Sequence, residues 1–305
     1  MAFRDRFRPW VILRTVISRY PGHERRYNKL CFFASYDPDS VLSPYVRLYL
    51  KELQSCGFDI VFCTTSPELK EESLAVLTNV CHLVIHRRNI GHDFASWKAC
   101  FKSLPNWRAA EALLITNDSV LGPLRPLAHY FDKMDSSATP CWGMNDSNER
   151  AYHLQSFFIY LRGEALQSKR FARFWQGVSL LTEKYDIVKF YELGLSRALF
   201  KDGIAVDVLF SSERVRAHCL ALGDKFQYPD AIRSSLFNAS LYCAYEMASA
   251  MGHPFVKADV IKSNRYRNRY YKELYMMLDD SLQEVQRGYL RPYLDRVGGD
   301  AESSC

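Results

Sequence analysis

The sequence predicts an α/β fold, a mostly parallel sheet flanked by helices and followed by a helical C-terminal extension. Three observations carry that expectation. Between residues 29 and 124, apolar runs of strand length alternate with amphipathic segments of helical period, the spacing of βαβ units. Polar clusters follow two of these runs directly, at residues 87–93 and 117–119; ligands of open parallel sheets bind beyond the carboxyl ends of the strands. From about Ser211 onward, helical segments replace the alternation.

Residues 1–28 form a basic arm carrying Arg4, Arg6, Arg8, Arg14, Arg19, Arg25 and Arg26. Pro9 is placed to open a helix, and Trp10, Leu13, Ile17 and Tyr20 follow at spacings of three and four. The pattern reads as a short amphipathic basic helix, suited to peripheral contact with an anionic membrane; a helix docked on its own domain or a disordered arm are the alternatives. The main domain is expected over residues 29–210. Its elements are a strand at 29–35, a helix at 44–56 with Val46, Leu50 and Leu53 on one face and Gly57 at its end, a strand at 58–64, a helix at 67–78, a strand at 82–86, a further helix, and a strand at 112–116. Past Pro126 the expected elements are strands at 140–144 and 153–161 and a largely helical stretch at 168–200. Residues 211–305 are read as a helical extension packed on this domain, with helices at 234–251 and 269–288 separated by Gly252-His253-Pro254.

Composition narrows the function classes. A chain of 305 residues, 48% hydrophobic and 24% charged, buries a substantial core and is not disordered. Its net charge of +6 suits anionic lipid, a nucleotide diphosphate or nucleic acid, but no module of interleaved aromatic and basic residues supports nucleic acid as a partner. Nine cysteines without a CxxC pair fit small core residues in a reducing, cytoplasmic setting. There is no apolar run of transmembrane length, and the Trp10 segment lacks the cleavage site of a secretory signal. The dinucleotide fingerprint GxGxxG is absent after the first strand, and so is the P-loop GxxxxGK[ST], which disfavours dehydrogenases and kinases.

Three blocks stand out: NIGHDFASWK at 89–98, TNDSVLGPL at 116–124 and HLQSFF at 153–158, with Trp142-Gly143 between them and Tyr191-Glu192 after. In this order they resemble the rhamnan synthesis F family of bacterial polysaccharide glycosyltransferases, over roughly residues 30–260. The resemblance implies a GT-A-like fold and an inverting transfer of sugar, with dTDP-L-rhamnose as donor and a growing surface polysaccharide or lipid-linked oligosaccharide as acceptor. A catalytically degenerate sugar-binding or scaffold protein on the same fold is the alternative.

The residues give that expectation chemical content. GT-A enzymes commonly end their fourth strand in Asp-x-Asp, which holds a divalent cation against the donor diphosphate. Here the triplet is Asn117-Asp118-Ser119, so Asp118 alone brings charge. It is a candidate ligand for Mg or Mn, or a hydrogen-bond acceptor for sugar hydroxyls, or part of a plain Asn-Asp-Ser turn. Around the preceding loop, Arg88, Asn89, Gly91, Asp93 and Lys98 are candidate donor-binding residues, with Arg87 and Arg88 able to grip phosphate. An N-cap followed by a solvated basic loop would use the same residues.

Glu192 is followed by Leu195, Leu199 and Gly203, the spacing at which inverting GT-A enzymes carry their catalytic acid. The leucines would root a helix and leave Glu192 free to take the acceptor proton. Asp146 is the rival base, since Trp142 to Asp146 resembles the family's WG-x-x-D segment. Trp142, His153 and Gln155 are candidate acceptor-binding residues, and Lys257 could reach the diphosphate.

Overall fold

A computed structural model of the chain describes residues 9–26, 28–234, 237–264, 267–282 and 288–296. Its strands are β1 (Val16–Pro21), β2 (Lys29–Ser35), β3 (Phe58–Thr64), β4 (Leu83–Arg87), β5 (Ala112–Asn117), β6 (Val120–Leu121), β7 (Cys141–Ser147), β8 (His153–Leu154), β9 (Phe158–Arg162), β10 (Val206–Phe210) and β11 (Val256–Lys257). The main sheet runs β1-β4-β3-β2-β5-β9-β7-β10, with β8 paired to β7. Its centre, β4-β3-β2-β5, is parallel. Because β9 is antiparallel to both β5 and β7, and β1 is antiparallel to β4, the sheet as a whole is mixed.

Helices α1 (Pro44–Ser55), α2 (Glu71–Val80), α3 (His92–Ser103) and α4 (Ala128–Ser136) are followed by α5 (Glu164–Gln167), α6 (Lys169–Gly177), α7 (Lys184–Ile187), α8 (Leu193–Lys201) and α9 (Ser212–Ala221). They cover both faces of the sheet, which explains why β2 and β3 read as continuous apolar runs. Along β2 the residues alternate between two cores: Leu30, Phe32 and Ala34 join Trp97, Phe101 and Leu195, while Cys31 and Phe33 join Leu50, Phe131 and Val215. A third cluster, of Tyr45, Leu121, Val256, Leu274, Leu290 and neighbours, fastens described segments between residues 244 and 294. The short β11 pairs with β6, an element the helical reading of this region lacked.

Several boundaries differ from the sequence reading. The expected amphipathic helix at the start is a 3-10 turn, Pro9–Thr15, leading into β1. The ladder from Val16↔Arg87 to Pro21↔Leu83 occupies the open edge of β4, and Ile12 is fully buried. Pairing of Val16 and of Ser18 to Pro21 on an available edge outweighs the local helical period. The helix expected at 67–78 begins at Glu71, with acidic Glu71 and Glu72 in its first turn. The strand expected at 153–161 is interrupted at residues 155–157, and the stretch 168–200 breaks after Gly177 and contains a π turn at Val188–Glu192. Helix 234–251 is in fact Ala239–Tyr242 and Ala244–Ser249, and helix 269–288 is Tyr271–Ser281 within the described residues.

Candidate active site

The carboxyl end of β5 opens onto a cavity of about 640 Å³. Its walls include Asp93 from the first turn of α3, Asn117 and Ser119 at and just past the end of β5, His153, Gln155, Ser156 and Phe157 from the interrupted strand, and Glu192 from the π turn. The first three sequence blocks and the candidate acid therefore meet in one space. The break in the strand is what allows it: Gln155 N–H still bonds the Asn145 carbonyl at 2.9 Å, but the backbone then leaves the ladder before β9.

The triplet after β5 is held by its own side chains. Asn117 donates its amide to Asp93 Oδ2 at 2.8 Å, and its Oδ1 accepts from Ser119 N–H at 3.2 Å and Ser119 Oγ at 2.7 Å. An aspartate at 117 would place a second carboxylate against Asp93, so the asparagine is the residue this geometry favours. Asp118 Oδ2 accepts from Ser35 Oγ at 2.7 Å and Tyr36 N–H at 2.9 Å. Burial, and then the nearby Asp93 carboxylate, push Asp118 up to about 7. Burial likewise raises Asp93, opposed by the Asn117 hydrogen bond. Asp118 does not line the cavity. Among the described residues no group of three or more His, Cys, Asp or Glu side chains is arranged to hold a metal ion. With one motif carboxylate that already accepts two hydrogen bonds, these residues do not fit a protein-built divalent metal centre.

The loop before α3 is organised by Arg87, which is fully buried. Its guanidinium donates to the carbonyls of Ile90 (2.8 Å), His92 (3.0 Å) and Arg88 (3.1 Å), and to Ser96 Oγ at 3.1 Å. Arg87 thus grips backbone and cannot also grip phosphate. Gly91, at φ 87°, caps α3; a Cβ there would lie 2.9 Å from Ala95 Cβ and from Leu180 Cδ2. Arg88 and Asn89 are exposed and do not line the cavity.

Other predicted site residues are likewise placed away from it. Lys98 is buried and donates to the Trp175 carbonyl and, at 2.8 Å, to the Gln176 carbonyl, closing the last turn of α6. Burial lowers its ammonium to about 8. Trp142 sits in the core, with its indole N–H on the Thr139 carbonyl at 3.1 Å. Asp146 Oδ1 accepts from Ser212 N–H at 2.6 Å and its carbonyl from Ser212 Oγ at 3.0 Å, so it fastens the start of α9.

Glu192 ends the π turn before α8 and lines the cavity. Leu195 and Leu199 are fully buried and Gly203 has φ 71°, while Tyr191 is rooted by accepting from Ser179 N–H at 2.8 Å. The π turn, a form frequent at functional sites, leaves the Glu192 carboxylate in the cavity. There Oε1 accepts from Ser156 Oγ at 3.2 Å, and Oε2 lies 3.8 Å from His153 Nε2. His153 Nδ1 meets the Ala151 carbonyl at 2.8 Å; that oxygen only accepts, so the proton of the neutral ring is on Nδ1. Gln155 donates to Asn238 Oδ1 at 3.1 Å and accepts from Ser240 Oγ at 2.9 Å.

Sequence reasoning missed Ser156, Glu149, Arg150, Lys184, Tyr185 and Asn238, all of which line the cavity. Ser156 lies within HLQSFF and was within reach of it. The others sit on loops and short helices with no pattern of their own.

The sheet order, with β9 reversed between β5 and β7 and a cavity at the carboxyl end of β5, defines the class: a GT-A-like, nucleotide-diphospho-sugar transferase fold. A family model described as Rhamnan synthesis protein F matches residues 60–237, more than half of the chain, and the protein belongs to that family. It is 25% identical over 185 residues to the uncharacterized protein y4gN of Sinorhizobium fredii, covering 59% of this chain and 48% of that one. It is 24% identical over 219 residues to virulence protein VirA of Vibrio anguillarum, covering 67% and 69%. The chain thus spans about half the length of the first of these relatives. Among solved structures it is similar to galactosyltransferase LgtC in complex with donor and acceptor sugar analogs (TM-score 0.41, 13% identity, 86% of this chain and 99% of that chain). S. aureus TarS 1-349 matches at TM-score 0.38 and 11% identity over 88% and 86%.

Proposed function

We propose that the protein is a nucleotide-sugar glycosyltransferase acting by inverting single displacement in the cavity beyond β5, with residues 29–210 as its catalytic unit and 211–305 packed on it. The observation that carries this reading is the convergence of Asp93, Asn117, Ser119, His153, Ser156 and Glu192 on one cavity. The donor sugar lies along Asp93, Asn117 and Ser119. Glu192 takes the proton of the acceptor hydroxyl as that oxygen bonds to the anomeric carbon, and the electron pair of the breaking C–O bond leaves on the nucleoside diphosphate. Ser156 orients the carboxylate. The free Nε2 of His153, 3.8 Å away, can share the proton that Glu192 receives.

Family membership favours dTDP-L-rhamnose as donor and a bacterial surface polysaccharide or lipid-linked oligosaccharide as acceptor. On this reading the enzyme works on the cytoplasmic side, and the exposed Leu13 and Ile17 beside exposed Arg14 and Arg19 provide a peripheral contact with anionic membrane. No helix of the described residues is long and apolar enough to cross one.

Replacing Glu192 by Gln keeps the hydrogen bond from Ser156 but removes basicity. Transfer should fall by about 10²-fold or more while donor affinity, measured separately, persists. Normal turnover of Glu192→Gln would remove it as base. The second reading, a degenerate sugar-binding scaffold, is favoured by the missing Asp-x-Asp. It would be upheld if donor bound and neither transfer nor slow donor hydrolysis occurred.

A further inference from the structure

We infer that Lys257, together with Lys184 and Arg150, supplies the counter-charge for a nucleoside diphosphate in this cavity, the task that a metal on an Asp-x-Asp pair performs in other enzymes of this fold. The inference rests on the glycosyltransferase reading and deepens it. Its first support is position. β11 pairs antiparallel with β6 so that Lys257 faces Val120, and Ala258 N–H bonds the Ser119 carbonyl at 2.9 Å. A residue some 140 positions downstream is thereby stitched by backbone to the triplet that ends β5. The Lys257 ammonium lies 5.8 Å from the centre of the Phe157 ring, another wall of the cavity, a distance at which the ring face attracts a cation.

The second support is the pattern of pairing. The cavity walls carry four carboxylates, Asp93, Glu149, Glu192 and Asp259, and three basic side chains, Arg150, Lys184 and Lys257. Three of those carboxylates already accept a hydrogen bond from a neutral side chain: Asp93 from Asn117, Glu192 from Ser156, and Glu149 from Asn238 at 3.2 Å. Among the described residues, none of the three cations lies within ion-pair distance of a carboxylate. Arg150, in the left-handed region at φ 72°, instead rests its guanidinium 4.6 Å from the centre of the Tyr185 ring. The carboxylates outnumber the cations by one, but because none of the three cations is paired with them, each is free to meet an incoming phosphate.

The cations come from three separate segments, the β7–β8 loop, α7 and β11, so they can meet different oxygens of the two phosphoryl groups, with the arginine able to bind in bidentate fashion. Burial lowers the Lys257 ammonium, Glu192 opposing it; a partly desolvated cation gains most from an incoming anion. The residues at 117–119 do not form a metal set, so the negative charge of the departing diphosphate falls to these side chains.

Calorimetric titration with thymidine, uridine and guanosine diphosphates, each with excess EDTA and with Mg²⁺, tests the inference. At least one nucleoside diphosphate should bind in EDTA nearly as well as with Mg²⁺. Lys257→Ala should weaken it by about tenfold or more, with Lys257→Arg restoring most of the loss. Lys184→Ala and Arg150→Ala, at exposed positions that fold regardless, should each weaken it several-fold and flatten its salt dependence. Binding only when Mg²⁺ or Mn²⁺ is present would overturn the inference, and so would binding in EDTA that Lys184→Ala and Arg150→Ala leave untouched. Either result leaves the glycosyltransferase reading standing. Failure of all three diphosphates to bind under both conditions would overturn both.

Discussion

Asp118→Asn should make the protein more stable, and only above mildly acidic pH. The carboxyl is raised from 3.8 to about 7 by burial and by Asp93. Between about pH 4 and 7 the native chain keeps a proton that the unfolded chain has lost, so stability falls as pH rises through that window and stays reduced above it. A rise of about three pKa units corresponds to roughly 4 kcal/mol at most, and the true figure is smaller because Asp118 is only partly buried. Asparagine keeps an acceptor for Ser35 Oγ and Tyr36 N–H and carries no charge. For a chain of this length about 4 kcal/mol corresponds to roughly 6 °C of melting temperature. Part of the gain belongs to Asp93, whose ionisation becomes easier once its neighbour is neutral. Melting curves of both proteins at half-unit steps from pH 4.5 to 9 are the assay. The difference should be about a quarter of its full size at the acid end, grow steadily up to neutrality and level off by about pH 8. A difference that does not vary with pH, or an asparagine variant that is less stable at pH 8, refutes the argument.

Three further outcomes follow from the placement of other side chains. Asp146→Asn should lower the melting temperature by loosening the start of α9, with the rate of transfer per folded molecule unchanged; a dead but fully folded enzyme would restore Asp146 as the base. Lys98→Met leaves the Trp175 and Gln176 carbonyls without their donor and should cost roughly 1–3 kcal/mol, seen as a lower denaturant midpoint, while nucleotide affinity stays as in the parent protein. Deleting residues 1–21 removes buried Ile12, worth about 2–5 kcal/mol, and uncovers the edge of β4, so the truncated chain should melt earlier and aggregate at concentrations the full chain tolerates; an unchanged melting curve would mean that β1 adds nothing.

The architecture was legible where the chain's own period decided it. β2 through β5 and their helices announce themselves as alternating apolar runs because both faces of those strands are buried. β1 was not legible, because residues 10–20 carry a helical stripe and only the vacant edge of β4, some seventy residues later in the chain, makes extended pairing the better use of residues 16–21. The break at residues 155–157 escaped for a related reason. His153 to Leu161 has the composition of one strand, and it is the antiparallel hold of both β7 and β5 on Phe158 onward that forces the backbone out at Gln155 and turns its neighbours toward the cavity.

The two candidate bases show how far residue types can carry a site. Both are acids next to secondary-structure boundaries, and local sequence treats them alike. They part on what each carboxylate already satisfies. Asp146 spends an oxygen on the backbone N–H of Ser212, 66 residues away, and that partner could be known only from the fold. Glu192 sits ahead of Leu195 and Leu199, whose complete burial fixes the helix and so fixes which direction is left for the acid. A hydroxyl 3.2 Å away orients its carboxylate without neutralising it. A base must be held and still be free to accept a proton, and of these two acids only Glu192 meets both conditions in the cavity that also holds Asp93, Asn117 and Ser119.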